Sequence, residues 1–150
     1  MNSNNRIDYS ELSKRNKQLA AKTQGGIFEE AASCGCDMDD FMNKYLTSRF
    51  CNQEMDAIGS SLIDGAGKIR FHVWQDSSGI TFKTAAEPEN PSVARLAGEV
   101  MRYLVYNTGR HSMEYAGRFS YDKLVAETSM LDMHGDMDAV TKRLEKAAGY

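Results

Sequence analysis

Within KIRFHVWQDSSGITFK, residues 68–83, apolar and polar side chains alternate. Ile69, Phe71 and Val73 fall on one side and Arg70, His72 and Trp74 on the other, the period-two pattern of a half-buried strand. Asp76 to Gly79 supplies turn residues, and Ile80 and Phe82 alternate with Thr81 and Lys83 on a return strand. The pattern predicts an antiparallel β-hairpin over residues 68–83. Two strands are marginal alone, so helices or a second chain must cover their apolar face. Trp74 would stand on the outer face, either under a flanking segment or as an exposed binding anchor.

The other segments read as helix. Asp37 caps a helix start, Asp39 and Asp40 occupy its first turn, and Met38, Phe41, Met42, Tyr45, Leu46 and Phe50 recur at spacings of three and four. Pro88 and Pro91 interrupt regular structure. Ser92 then caps a helix with a stripe of Val93, Leu96, Ala97, Val100 and Leu104, the element expected to lie across the hairpin, ending at Asn107 to Gly109. Residues 110–117 fit a loop or a short helical turn. Ser120 and Asp136 cap two further helices. Residues 1–24 read as a mobile or peripheral basic helical segment that Gly25 and Gly26 break, and residues 25–150 as one domain. The expected class is therefore α+β, a mostly helical single domain packed around a short hairpin. Its strand edges leave a homodimer open.

The chain has 150 residues, 41% hydrophobic and 26% charged, the make-up of one ordinary globular domain. No apolar run approaches the roughly 20 residues that span a bilayer. Three cysteines, Cys34, Cys36 and Cys51, leave an odd thiol, and no secretory signal stands at the start, so the expected location is cytoplasmic. Eighteen basic against 21 acidic side chains give a net charge of −3, which argues against sequence-independent nucleic-acid binding.

The charge is unevenly placed. Residues 1–24 carry Arg6, Lys14, Arg15, Lys17 and Lys22 against Asp8 and Glu11, a local plus three. Residues 25–64 carry Lys44 and Arg49 against Glu29, Glu30, Asp37, Asp39, Asp40, Glu54, Asp56 and Asp64, a local minus six. Such ordering fits internal docking or a surface for a basic partner.

No catalytic, metal or nucleotide signature is complete. The segment DGAGKI, residues 64–69, has a Gly-Lys pair, but Leu62 and Ile69 stand where a phosphate loop needs its first glycine and its hydroxyl, and it leads into the expected strand. In DMHGDMD, residues 132–138, the glycine is misplaced for a calcium loop and Arg143 stands where its acidic ligand belongs, so a helix cap explains the carboxylates. Cys34 and Cys36 are closer than the usual zinc spacing and Cys51 adds only a third thiol, so a fourth ligand would come from His72, His111 or His134. Buried structural cysteines are the expectation, with no cofactor and no metal. His72, beside Arg70 and Trp74, is the histidine of interest.

At DDFMNKYLTSRFCNQEMD, residues 39–56, the chain resembles small accessory proteins of bacterial mobile elements that combine an Asp-Phe-(Met/Ile)-x-Lys-Tyr helix with a short sheet. The resemblance covers one helix. It implies a cytoplasmic, non-catalytic protein that binds and regulates something larger, a class that includes inhibitors of host defence nucleases such as anti-CRISPR proteins.

The leading expectation is a non-enzymatic interaction protein, an inhibitor of a nucleic-acid-binding or defence nuclease complex. Glu29, Glu30, Asp37, Asp39, Asp40, Glu54, Asp56 and Trp74 would contact a larger protein with a basic surface. The first alternative is a nucleic-acid-binding regulator using Lys14, Arg15, Lys17 and Lys22, with Arg6, Arg95 and Arg102. The second is a thiol or metal-dependent enzyme on Cys34, Cys36 and Cys51.

Overall fold

The computed structural model describes residues 6–60 and 63–150, apart from the side chains of residues 132–134. The expectations for residues 1–5, for Leu62 and for the side chains of Asp132, Met133 and His134 lie outside the described residues. The described residues form six α-helices: α1 (Lys14–Ser33), α2 (Met38–Leu46), α3 (Gly67–Ser78), α4 (Pro91–Thr108), α5 (Tyr121–His134) and α6 (Met137–Ala147). A π-helix (Cys51–Met55) follows α2, and a 3-10 turn (Ser112–Tyr115) follows α4. There is no strand among the described residues, and one isolated bridge joins Cys36 to Thr84.

The α+β expectation is thus overturned, and the reason is local. Residues 67–78 carry two overlapping periods. Ile69, Phe71 and Val73 alternate, but Gly67, Phe71 and Trp74 also repeat at helical spacing, and it is these three that α3 buries. Ile69 and Val73 face outward, 63% and 52% exposed. The expected turn is the helix terminus: the Ser77 and Ser78 hydroxyls donate to the Trp74 carbonyl, and Gly79 closes the helix at φ +68°. The expected return strand passes the α1–α2 turn. There Asp37 N–H donates to the Lys83 carbonyl at 2.8 Å and Ala85 N–H to the Gly35 carbonyl at 2.8 Å, while Phe82 stacks on Phe71 with centroids 6.1 Å apart.

The break expected at Gly25 and Gly26 is also absent. α1 runs unbroken through both glycines, so the division drawn at residue 24 falls inside one helix with Ala20, Ala21, Thr23 and Gln24 buried. The glycines allow backbones to touch. A Cβ on Gly67 of α3 would meet the Thr23 carbonyl and lie 2.7 Å from Gly26 Cα; one on Gly98 of α4 would lie 2.8 Å from Phe28 Cγ. Tertiary packing here outweighs the roughly 1 kcal/mol that a mid-helix glycine costs.

The remaining helices follow their caps. Asp37 accepts from Asp40 N–H, Ser120 from Lys123 N–H and Asp136 from Ala139 N–H. In α4 the cap is Asn90, which accepts from Ser92 and Val93 with Pro91 in the first turn, two residues before the expected Ser92. Of the expected α4 stripe, Ala97, Val100 and Leu104 are buried, whereas Val93 and Leu96 lie at the surface. No helix among the described residues is long and apolar enough to cross a membrane.

Candidate functional site

The carboxylates expected to form an open acidic surface are largely engaged within the molecule. Asp56 is buried. Asp37 caps α2, and Asp39 accepts from Tyr121 N–H at 2.7 Å. Asp40 accepts from Lys83 N–H at 2.8 Å and from Lys44 Nζ at 3.1 Å, and the Lys83 N–H holds its carboxyl below the ordinary range. Glu54 accepts from Ser60, Glu29 pairs with Lys68 at 3.9 Å, and Glu30 lies 2.5 Å from His72. Trp74 is not an exposed anchor. It is 5% exposed, edge-on to Tyr45 and beside Phe82.

Asp56 belongs to an interior network around Arg102, which the sequence suggests for a nucleic-acid-binding role and which is wholly buried. Arg102 Nη1 donates to Asp56 Oδ1 at 2.7 Å, and Nη2 donates to Gln24 Oε1 at 2.7 Å. Tyr45 donates to the same Gln24 oxygen, and Ser112 donates to Asp56 through both its N–H and its hydroxyl. Burial alone would lower the Arg102 pKa; the Asp56 carboxylate outweighs it and keeps the guanidinium charged. With no solvent access, this network fixes the π-helix and the 3-10 turn to α1 and α4.

Lys14, Arg15, Lys17 and Lys22 share the first half of α1, where no acidic residue occurs before Glu29. None of the four makes an ion pair among the described residues.

α3 borders two grooves, one near each of its ends. One, about 380 Å³, lies where α1 and α3 meet, and Lys22, Gly26, Glu29, Lys68, Ile69 and Arg95 line it. The backbone contact at Gly26 and Gly67 forms its floor. The other, about 680 Å³, has Phe50 and Trp74 at its base, with rings stacked 6.3 Å apart, and Lys44, Arg49 and Gln53 at its rim. The π-helix supplies one wall. Such helices recur at functional positions.

The three thiols are not one site. Cys51 is buried beside Arg102, and burial pushes it up to about 11. Cys36 is buried in the turn after α1 and is likewise pushed up to about 11 by burial. Cys34 is exposed at the end of α1, and burial of its sulfur followed by the charge of Glu30 raises it. Neither buried cysteine has the depressed pKa that a thiolate nucleophile needs. Side-chain donors of Glu30, Cys34 and His72 do converge, all within 4.8 Å of one another. The sequence already singled out each of these three; only folding α3 onto α1 shows that they belong together.

No protein-family model, curated protein or solved structure matches the chain.

Proposed function

We propose that the chain is a non-enzymatic interaction protein that recognises a larger protein through the outward face of α3 and the groove between α3 and α1. One observation carries this reading: Ile69, which lines that groove, and Val73, one helical turn further along α3, expose 63% and 52% of their surface. Apolar side chains at i and i+4 on an exposed helix face are the anchors that helix-face recognition uses, which supports the reading. Of the cations that line the groove, Lys68 pairs with Glu29 and Arg95 with Glu99, while Lys22 makes no ion pair among the described residues. The partner that fits is therefore an apolar anchor flanked by acidic side chains, in place of the basic surface that the charge distribution suggested. Inhibition of a nucleic-acid-binding or nuclease complex, the role implied by the likeness at residues 39–56, would use this face.

Capture from cell extract with the wild-type chain and with Ile69→Asp/Val73→Asp tests it. The reading expects a stoichiometric, nuclease-resistant partner that the double variant loses while keeping its helical circular dichroism. A partner held equally by both proteins would overturn it.

A second reading rests on the unpaired cations of α1. Lys14, Arg15, Lys17 and Lys22 would bind a phosphate backbone, with affinity falling as salt rises. A mobility shift at low salt that is lost on reversing these four charges is its expected result; no shift would dismiss it.

A further inference from the structure

We propose that Glu30, Cys34 and His72 form a zinc-binding site that ties α3 to the C-terminal half of α1. Glu30 and Cys34 are four residues apart on α1, so both side chains leave the same face of the helix. α3 lays His72 against them, with Nε2 2.5 Å from Glu30 Oε2. One carboxylate oxygen, one imidazole nitrogen and one sulfur thus lie within 4.8 Å of one another. Tetrahedral zinc, with bonds of about 2.0–2.3 Å, sets its donors about 3.3–3.8 Å apart. Cys34 and His72 are exposed and Glu30 is half-buried, so their side chains have room to move toward that spacing.

The donor set selects the ion. Magnesium and calcium prefer all-oxygen shells, whereas a mixed sulfur, nitrogen and carboxylate set suits zinc. Binding replaces the Cys34 thiol proton, which leaves to solvent, and engages His72 through Nε2, so that the neutral ring carries its proton on Nδ1. Three protein ligands leave a fourth position facing solvent, filled by water. The site differs from the three-cysteine arrangement suggested by composition, since Cys51 lies in the core and Cys36 in the turn. It does not depend on the binding role of Ile69 and Val73.

The test is titration of the reduced, full-length chain with cobalt(II), followed by displacement with zinc. A single site should appear with thiolate-to-cobalt charge-transfer absorption that zinc abolishes stoichiometrically. Cys34→Ser should remove that absorption. His72→Ala and Glu30→Gln should each weaken binding by at least about tenfold, the loss that even an outer-shell change produces. Circular dichroism confirms that each variant remains folded, as expected for substitutions at accessible positions. Absence of thiolate absorption in the wild type, its persistence in Cys34→Ser, or unchanged affinity in His72→Ala or Glu30→Gln would overturn the proposal.

Discussion

Arg102 Nη1 lies 2.7 Å from Asp56 Oδ1, with the two side chains 0% and 1% exposed. A buried pair of this kind is held together as much by the cost of separating it as by its own attraction. Arg102→Met removes the buried partner of Asp56 and leaves only Ser112 donating to its carboxylate, and should destabilise the fold by about 3–5 kcal/mol in urea unfolding. Adding Asp56→Asn to that variant should recover part of the loss, because the uncompensated charge is gone.

The close approach of α3 to α1 gives a second prediction. Gly67→Ala places a methyl group against the Thr23 carbonyl and Gly26 Cα, and should cost about 1–3 kcal/mol through overpacking. Thermal unfolding checks it. A Gly67→Ala variant as stable as the wild type would mean that the helices do not meet there.

The two faces of α3 should respond differently to truncation. Phe71→Ala, at a fully buried position, should cost about 3–5 kcal/mol. Val73→Ala, at a position 52% exposed, should stay within about 0.5 kcal/mol of the wild type. A hairpin would make both residues part of one buried face and both changes costly, so chemical denaturation separates the two folds.

Acid sensitivity follows from Glu127. Burial raises its carboxyl, but hydrogen bonds from Arg143 at 2.6 Å and Lys123 at 3.2 Å prevail and hold it below its ordinary value. A carboxyl depressed in the folded state contributes stability above its unfolded value near 4.5, and that contribution is lost as pH falls through the folded value. Glu127→Gln should therefore lower stability at pH 7 by about 1 kcal/mol. The difference from the wild type should shrink as pH drops below about 4.

Much of the helical framework was legible in the sequence because its signals are local. Asp37, Ser120 and Asp136 announce their helices through caps, and Met38, Phe41, Met42, Tyr45 and Leu46 give a period that only a helix satisfies. Residues 68–83 were misleading because Ile69, Phe71 and Val73 fit a strand while Phe71 and Trp74 fit a helix, and a short apolar run cannot decide between the two. The close approach of α3 to α1 needs Gly67, whose missing Cβ admits α1, and that requirement is visible only once Gly26 stands opposite.

The same limit applies to charge. Counting carboxylates from Glu29 to Asp64 cannot distinguish a cap such as Asp37 or a core ion such as Asp56 from an open surface. The convergence of Glu30 with His72, 42 positions along the chain, likewise has no sequence signal of its own.

The most direct test of the account is the set of backbone chemical shifts across residues 67–83. An unbroken helical signature from Gly67 to Ser78, a stop at Gly79 and extended values from Ile80 onward is the predicted result. Strand-like shifts on both sides of a turn at residues 76–79 would contradict it, and with it the outward placement of Ile69 and Val73 on which the proposed binding face depends.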